Sequence, residues 1–513
     1  MLRVRQIKTN QEDNENEIIK QIEKKLKAKI IDYKIHKKSI DARKGIKYVY
    51  EVDVNLKNED KIKLTNDIIK VSDETYKFKI TGKEQTNIII VGTGPAGLFS
   101  AYILAQNGYK PLIIERGKKV EERIKDVQKF WDEGILNENS NVQFGEGGAG
   151  TFSDGKLNTQ IKDKEGRKQK VLEIFVQNGA PKEILYENKP HIGTDLLRKV
   201  IPNIRNQIIK MGGKFEFETK LEDIIEKENK LDQIKINGKY IPCKTLILAI
   251  GHSSRDTFEM LSEKINITSK PFAIGVRIQH PQKLINESQY GKNTNLKPAS
   301  YKLTYKAKNK GVYTFCMCPG GYVVNASSEK DMLAINGMSN YERESENANS
   351  AIIVTVNEKD YGTNPLDGIK FQREIEAKAY TKGQGKIPVQ LLEDFYNNQT
   401  SKEFKEVKPI FKGKYTFANI NEILPQNICE ALKEAIKNFD TKIKNYNKKD
   451  AIIAGVETRT SSPVQITRDE NFEASIKGIY PCGEGAGYAG GITSAAIDGL
   501  KVSEKIAQKY KPY

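Results

Sequence analysis

Cysteine, tryptophan and long apolar runs are scarce in this chain of 513 residues. Its 5 cysteines have no zinc-type spacing, so we expect reduced thiols, no disulfide framework and no metal site. No apolar run approaches the roughly 20 residues needed to cross a bilayer, and the N-terminal residues lack the apolar core of a signal peptide. Together these absences predict a cytoplasmic protein that does not enter a membrane.

Acidic residues are outnumbered, since 84 Lys and Arg oppose 67 Asp and Glu for a net charge of +17. Most of this excess follows from a lysine-rich composition, which spreads solvated charge over every surface. The stretch 20–47 stands out, because it has eleven Lys or Arg against only three acidic residues. It makes a nucleic acid or another polyanion a candidate partner, which we rank below a small molecule.

The most informative segment is a glycine-rich turn between an apolar run, 88–91, and a helical pattern. Its glycines have the spacing Gly-x-Gly-x-x-Gly. In such a turn the first glycine bends the chain, the second approaches a pyrophosphate and the third packs helix against strand, while N–H groups at the helix start face the phosphates. The predicted dinucleotide-binding residues are Gly92, Gly94, Pro95, Ala96 and Gly97.

An acidic residue follows at the distance that such a site requires. Glu115 lies 18 residues beyond Gly97, at the end of a second apolar run, where a carboxylate accepts hydrogen bonds from the ribose hydroxyls of an adenosine. The pair Glu115-Arg116 is common in FAD-binding domains and favours FAD weakly over a nicotinamide cofactor. We predict that both residues contact the cofactor.

A second glycine-rich element near the C-terminus decides between the two cofactors. It again joins a short apolar run to a helical pattern. FAD lies extended across its domain, so a second loop has to supply a carboxylate for the ribityl hydroxyls and a helix N-terminus for the N1–C2=O2 edge of the flavin. These roles are predicted for Glu484 and for the backbone of Gly491 and Ile492, within a loop that includes Gly483 and Gly485.

A third glycine cluster occupies the loop 144–157. It holds Gly147 and Gly148 and continues to Ser153 and Lys156. This composition suits a nest of backbone donors with one cation, which would lie beneath the cofactor phosphates. We therefore predict that these four residues bind the cofactor.

A fourth element is the apolar run 244–250, which ends at Gly251. We expect this run to return beside the first strand, so that Gly251 lies near the cofactor. The next residue, His252, is more typical of a structural hydrogen bond here than of acid or base catalysis.

Five ordered segments resemble those of a known family: 147–157, 270–277, 317–321, 455–463 and 482–491. On these segments the chain resembles the bacterial FAD-dependent dehydrogenase-like flavoproteins of the glutathione reductase-like FAD superfamily, from about residue 87 to the C-terminus. Glu484 departs from the wider superfamily, in which many relatives carry Asp. The resemblance implies FAD as the cofactor and does not supply a substrate.

The order of elements predicts an α/β protein with three parts. Residues 1–84 have the strand and helix patterns of a small α/β domain. Residues 85–269 and 451–513 are predicted to form a discontinuous, Rossmann-like, three-layer FAD-binding domain, because its two glycine elements lie almost 400 residues apart. The α+β insertion 270–450 is predicted to cap the flavin and hold the substrate.

The chain has one dinucleotide fingerprint rather than two. Because a second copy would hold a nicotinamide, the sequence predicts either transient binding of NAD(P)H or reduction by the substrate itself. In this it resembles flavoenzymes whose capping domain holds the substrate against flavin N5 for hydride transfer. The predicted activity is that of an FAD-dependent oxidoreductase on a small molecule. The alternative is an RNA-binding or tRNA-modifying flavoprotein that uses the basic N-terminal domain.

Two residues of the insertion are candidate catalytic residues. Cys318 belongs to a Cys-Pro-Gly-Gly turn that permits close approach to a ring, although a buried side chain in a turn is an equally good interpretation. Arg277 lies on an alternating strand and is a candidate for binding an anionic substrate or the N1–O2 edge, or else for pairing with an acidic residue. Cys316 and Cys318 are closer in sequence than the usual redox-active pair, so a disulfide reductase is not expected.

Overall fold

The computed structural model describes residues 1–43, 45–72, 75–292, 296–308 and 310–513. The N-terminal elements are β1 (Leu2–Thr9), α1 (Glu15–Leu26), β2 (Asp32–Asp41), β3 (Lys47–Asn55) and β4 (Ile68–Lys70). They form an antiparallel sheet in the order β2-β3-β1-β4. Ile18, Ile22 and Leu26 recur every four residues, so they share one face of α1 and join the buried core of this sheet.

The second group of elements includes both sides of the first glycine turn. Its strands and helices are β5 (Ile88–Val91), α2 (Pro95–Gln106), β6 (Leu112–Ile114), α3 (Val120–Glu133), α4 (Arg167–Gln177), α5 (Thr194–Lys210), β7 (Lys214–Glu216), β8 (Leu221–Lys227), β9 (Lys230–Ile236), β10 (Lys239–Pro242), β11 (Thr245–Leu248), α6 (Arg255–Ser262) and β12 (Ile267–Ser269).

The third group forms the predicted insertion. It comprises β13 (Phe272–Pro281), α7 (Gln282–Tyr290), β14 (Thr304–Ala307), β15 (Lys310–Cys318), β16 (Tyr322–Asn325), β17 (Ile335–Met338), β18 (Asn347–Val356), α8 (Glu358–Tyr361), α9 (Asp367–Lys382), β19 (Ile387–Leu391), α10 (Leu392–Asn397), β20 (Phe411–Lys412), β21 (Tyr415–Phe417), α11 (Gln426–Phe439) and β22 (Ile452–Glu457). The last elements of the chain are β23 (Val464–Ile466), β24 (Ile479–Pro481) and α12 (Ile492–Lys509).

A parallel five-stranded sheet brings the two glycine elements together. Its order is β24-β11-β5-β6-β7, so β11 pairs with β5 and the late strand β24 extends the same sheet. Helices α2 and α12 pack on one face of this sheet and the β8–β10 meander on the other. This arrangement confirms the α/β, Rossmann-like fold, and it places the ends of β5 and β24 at one edge, where ligands bind in such folds.

The insertion is built on a seven-stranded sheet, which we call the cap sheet, with the order β14-β15-β18-β13-β22-β19-β21. Strand β22 lies between β13 and β19 in this sheet. The predicted domain boundary at residue 451 therefore differs from the structure, which adds β22 to the cap sheet. The pairing depends on residues about 180 positions away, as the contact between Arg277 and Ala454 shows, and local sequence does not reveal it.

The N-terminal sheet packs against the nucleotide-binding part through the edge of β2. The Lys38 N–H donates to the carbonyl of Tyr186 at 2.7 Å, and the Asn188 N–H donates to the carbonyl of Lys38 at 2.9 Å. The buried Lys38 ammonium lies within 3.1 Å of carboxylates of Glu12, Asp13 and Glu187. One lysine of the basic stretch is thus neutralised inside the protein. Among the described residues, no helix has both the length and the apolar character to cross a membrane.

Candidate functional site

One cavity of about 1210 Å³ runs from the edge of the five-stranded sheet to the cap sheet and the N-terminal sheet. It collects residues from all four elements singled out in the sequence and from the turn of β15. The predicted site residues that line it are Gly92, Gly94, Pro95, Ala96, Glu115, Arg116, Gly148, Ser153, Lys156, Gly251, Cys318, Glu484, Gly491 and Ile492.

Two helix N-termini face this cavity. α2 begins at Pro95 after Gly94, and α12 begins at Ile492 after Gly491. Neither helix has a side-chain cap, and the N–H groups of Ala96, Gly97, Ile492 and Thr493 donate no hydrogen bond to any residue that the structure describes. Free donors at a positive helix end form a binding site for anionic or electron-rich groups.

Four predicted glycines lie behind the cavity surface and set the packing of its walls. A Cβ added at Gly97 would lie 1.9 Å from the carbonyl oxygen of Gly92, which shows how closely helix and strand approach. Comparable contacts, all shorter than 3.0 Å, would form at Gly147, Gly483 and Gly485. These positions require glycine for close packing rather than for contact with a ligand.

Glu115 lines the cavity, but its carboxylate already accepts four hydrogen bonds. Oε2 accepts from the backbone N–H and the hydroxyl of Thr93 at 2.9 and 2.6 Å, and Oε1 accepts from the N–H groups of Gly117 and Gly145 at 2.9 and 3.1 Å. A carboxylate has about four acceptor positions. A ribose hydroxyl would therefore have to replace one of these donors, and the Thr93 hydroxyl, which can rotate, is the one most easily displaced.

Arg116 contributes to the same wall by packing. Its guanidinium lies 4.4 Å from the centre of the Phe144 ring, and its Nη2 donates to Asp256 at 2.5 Å. These two contacts fix the side chain at the adenosine end of the predicted site.

Glu484 also lines the cavity, where it pairs with His252. The Nδ1 of His252 lies 3.0 Å from Oε1 of Glu484, whereas Oε2 accepts no hydrogen bond from the described residues. One carboxylate oxygen thus remains for a hydroxyl, as the ribityl role requires. His252 acts on this carboxylate as a structural partner, while its Nε2 is buried without a partner in the described part of the chain.

The loop predicted to form a nest of donors is shaped by a residue that the sequence interpretation missed. Arg123 of α3 is fully buried and donates to five backbone carbonyls of residues 141–148 at 2.6–3.2 Å. Because these carbonyls point toward Arg123, the loop is held in one conformation at the cavity wall. A signal was available: Arg123 shares the buried face of α3 with Val120, Val127 and Trp131, and a charge there needs partners.

Ser153 and Lys156 lie at different points of the same loop. The Ser153 hydroxyl donates to the carbonyl of Gly150 at 2.7 Å and accepts from the N–H of Gly155 at 3.0 Å, so it stabilises a turn. The Lys156 ammonium lies 3.3 Å from the buried carboxylate of Asp154. The structure therefore associates Lys156 with Asp154 and the cap rather than with the glycine turn of α2.

Arg277 is not a cavity residue, and its predicted role in binding an anion is wrong. The side chain is fully buried, and all five of its N–H donors are used: two on Glu457 at 2.8 and 3.3 Å, and the others on Cys316 O, Asn336 and Asn349. β13 lies inside the cap sheet with both faces covered, so an alternating pattern did not mark an exposed face.

Cys318 lines the cavity, but Cys316 is the cysteine that is exposed to it. The register of β15 against β18 shifts between Phe315 and Cys318, and this bulge turns Cys316 outward. The buried Cys318 thiol donates to the carbonyl of Cys316 at 3.2 Å. Desolvation by the surrounding protein raises the pKa of both thiols, that of Cys316 to about 12 even though its side chain is exposed to the cavity, so neither is an activated thiolate.

The residues present fit FAD. Two uncapped helix N-termini, a free oxygen on Glu484 and a continuous cavity correspond to its phosphates, ribityl chain and ring. Gly94 has room on its ligand side, because a Cβ there would meet only Gly148 Cα, at 3.9 Å. Glu115 is the exception, because its carboxylate already accepts four hydrogen bonds. One of these has to break before a ribose hydroxyl can bind there.

Comparisons with known proteins agree with this cofactor. Residues 85–125 match the family described as FAD binding domain, and residues 271–460 match the one described as FAD-dependent protein, C-terminal domain-like. Residues 1–55 match a domain of unknown function. The chain is thus a flavoprotein with FAD as its cofactor.

A protein of unassigned function from Clostridium beijerinckii is 48% identical over 534 aligned residues, which cover 99% of each chain. The chain belongs to the same family as this clostridial protein, a family of FAD-dependent proteins. A thiamine thiazole synthase from Saccharolobus islandicus is 38% identical over 66 residues, 13% of this chain and 23% of that protein.

The solved structures that match most of this chain have low sequence identity and low TM-scores. Glycine oxidase from Bacillus cereus has 11% identity and a TM-score of 0.32, with 82% of this chain and 95% of that chain covered. L-proline dehydrogenase from P. horikoshii has 14% identity and a TM-score of 0.33, with 82% and 93% covered.

Proposed function

We propose that the protein transfers a hydride between the N5 of FAD and a small molecule that the insertion holds against the flavin. The observation that carries this proposal is the single cavity lined both by the helix N-termini of the nucleotide-binding part and by the bulge of β15. FAD, once bound, supplies an N5 that accepts or donates a hydride. The protein itself supplies position and exclusion of water.

The proposed division of labour follows the walls of the cavity. The N-termini of α2 and α12 stabilise negative charge at the phosphates and at the N1–C2=O2 edge. Glu484, oriented by His252, holds a ribityl hydroxyl. The cap-sheet residues Phe315 and Cys316 lie on the substrate side. In this proposal residues 1–84 form the N-terminal domain, 85–269 and 458–513 bind FAD, and 270–457 cap the flavin.

The source of electrons follows from the count of nucleotide elements. The chain has one dinucleotide fingerprint, so we propose that NAD(P)H binds transiently over the flavin or that the substrate itself is the reductant. We place this reaction in the cytoplasm, in line with the reduced state expected of the cysteines.

The test is the visible spectrum of the purified protein, recorded anaerobically during addition of NADH or NADPH. Bands near ~450 nm are expected for bound oxidised flavin. Bleaching by a pyridine nucleotide would indicate a transient nicotinamide site, and a spectrum that resists both would indicate reduction by the substrate. A colourless protein that also fails to take up FAD would overturn the proposal.

The RNA-related alternative has less support, because parts of the basic stretch are neutralised within the protein. Lys38 is buried among three carboxylates, and Lys25 pairs with Asp67 at 2.8 Å. If RNA nevertheless binds this domain, its affinity should fall steeply with added salt. Absence of binding at low salt would remove the alternative.

A further inference from the structure

We propose that the part of the cavity around Asp154 binds an anionic group of the substrate, a carboxylate or a phosphate. Lys189 and Arg343 are the proposed ligands of this group, with Lys156 beside them. The inference rests on the proposed function, because it assigns a substrate class to the cavity in which hydride transfer would occur. All four residues line that cavity.

Asp154 is the centre around which these cations are arranged. Its carboxylate is almost fully buried and accepts from Arg343 Nε at 3.1 Å and Nη2 at 2.7 Å, and from the Ser339 hydroxyl. Burial would raise the pKa of Asp154, but Lys156 and Arg343 overcome it and hold the pKa at about 2. The carboxylate is therefore charged at neutral pH and fixes the orientation of Arg343.

The pairing with Asp154 does not use all the hydrogen-bond donors of the Arg343 guanidinium. Its third nitrogen, Nη1, makes no hydrogen bond with the part of the chain that the structure describes. The backbone of Arg343 adopts a φ of 55°, in the left-handed region that few residues with a Cβ occupy. Such a conformation is retained where the surroundings require it, and here it directs the guanidinium onto Asp154 at the cavity wall.

Lys189 adds a second cation without a carboxylate of its own. Its ammonium donates to the Ser300 hydroxyl at 3.1 Å, and no ion pair to it is found among the described residues. Desolvation by the surrounding protein and the nearby Arg343 guanidinium lower the pKa of Lys189. Lys189 itself is exposed toward the cavity, and like charges held near one another cost free energy that an anion between them would offset.

The other titratable groups at this place do not balance the charge. The Nε2–H of His191 donates to the Tyr341 carbonyl, 2.9 Å away, and burial together with Arg343 lowers the pKa of His191 to about 4, so it is neutral at pH 7. Glu187 lines the cavity but pairs with Lys38 at 3.1 Å. Arg343 and Lys156 thus share the one carboxylate of Asp154, and Lys189 pairs with no carboxylate of the described residues, which leaves an excess of positive charge along this wall.

Isothermal titration calorimetry on the FAD-loaded protein would test this inference, with benzoate, benzamide and phenyl phosphate as probes. Benzamide has the shape of benzoate without its charge, and phenyl phosphate distinguishes the two anion classes. The variants are Lys189→Gln, Lys189→Arg as a rescue, and Lys297→Gln as a matched control. Lys297 lies at the same cavity, but its ammonium is 3.9 Å from Glu187 and already has a carboxylate nearby.

We expect benzoate or phenyl phosphate, but not benzamide, to bind the wild type. Lys189→Gln should weaken binding at least about tenfold, because a charge-assisted hydrogen bond is lost. Lys189→Arg should restore most of the affinity, and Lys297→Gln should leave it within about twofold. Preference for phenyl phosphate would assign a phosphate, and preference for benzoate a carboxylate.

The inference is overturned if neither anion binds, if benzamide binds as well as benzoate, or if the two Gln variants weaken binding equally. These failures are distinct from failure of the proposed function. If the protein binds FAD and its flavin is reduced, but neither anion binds, only the proposed anion site is refuted. A protein that cannot take up FAD refutes the proposed function, while calorimetry on the same chain still reports on the anions.

Discussion

Asp498 accepts a hydrogen bond from the backbone N–H of Gly483 at 2.8 Å and so ties the second glycine element to helix α12. The same carboxylate pairs with Arg468 through two hydrogen bonds of 2.8 and 2.9 Å, and both side chains are buried or nearly so. The Arg468 guanidinium in turn lies 3.6 Å from the centre of the Tyr488 ring. One carboxylate thus orders the loop that carries Glu484.

The first prediction concerns this carboxylate. Asp498→Asn should reduce the free energy of unfolding by about 2 kcal/mol and weaken FAD binding, because hydrogen bonds to a charged acceptor are lost and the loop loosens. Glu393→Gln is the control, since Glu393 pairs with two lysines at the surface, where solvent screens the charges, and its loss should cost clearly less than that of Asp498. Urea unfolding and FAD titration measure both quantities; equal behaviour of the two variants would contradict the assignment.

The second prediction separates two glycines of the same turn. Gly97→Ala should destabilise the apoprotein, because its Cβ would lie 1.9 Å from the Gly92 carbonyl oxygen. Gly94→Ala should leave the apoprotein folded, since its Cβ would be 3.9 Å from Gly148 Cα, yet it should abolish FAD binding by occupying the space of the pyrophosphate. Thermal unfolding without cofactor, followed by FAD titration, distinguishes them. Retained FAD binding by Gly94→Ala would place the cofactor elsewhere.

The parts of the site that the sequence predicted are those whose geometry is local. The order strand, glycine turn and helix follows from residues within about 20 positions, so β5–α2 and β24–α12 could be recognised before the fold was known. A charge on the buried face of α3 marks Arg123 in the same local way. Local spacing also predicted the position of Glu115, but it did not reveal the groups that donate hydrogen bonds to its carboxylate.

The parts that could not be predicted depend on distant pairing. Arg277 is enclosed because β18 and β22 flank β13, and neither neighbour is close in sequence. Cys316 rather than Cys318 is exposed to the cavity because β15 has a bulge between Phe315 and Cys318. The residues in the bulge do not pair with β18, and beyond it the side chains point to the opposite faces of the sheet. Lys189 and Arg343, which line the same cavity, likewise lie on two loops about 150 residues apart.

The third prediction concerns stability below neutral pH. His280 is fully buried, and burial lowers its pKa to about 4, whereas an unfolded His titrates near ~6.5. Between these values the unfolded state binds the extra proton, so stability falls as the pH decreases, by about 2 kcal/mol from pH 7 to pH 5. In His280→Gln the slope of stability against pH should be smaller. Parallel profiles of the two proteins in urea unfolding would contradict this.

The fourth prediction concerns the thiols. In the folded apoprotein, alkylation by iodoacetamide should modify Cys316 first, since the other four cysteines are buried. Its pKa of about 12 implies a slow reaction whose rate rises roughly tenfold per pH unit between pH 7 and 9. Bound FAD should slow it further, and Cys318→Ala should change the rate of flavin reduction by less than about fivefold. Peptide mass spectrometry locates the label; rapid labelling of Cys318 at pH 7 would restore it as a catalytic candidate.

The fifth prediction concerns the joint between the nucleotide-binding part and the insertion. Glu376 of α9 is fully buried and accepts from Arg255 of α6 at 2.8 and 2.9 Å and from Arg459, which lines the cavity, at 2.8 and 3.1 Å. Burial opposes its charge, but the two guanidinium groups hold the pKa of Glu376 well below its usual range. Its carboxylate is therefore the shared acceptor of two cations from different parts of the chain.

Glu376→Gln keeps the shape of this side chain and removes its charge, which leaves two buried arginines without full compensation. We expect the free energy of unfolding to fall by about 3–5 kcal/mol and FAD to dissociate faster, because Arg459 would no longer be held at the cavity. Glu329→Gln is the matched control: Glu329 also pairs with Arg255, but it is partly exposed, so its loss should cost less. If the two variants unfold at the same urea concentration and release FAD at the same rate, Glu376 is not the group that joins the two parts.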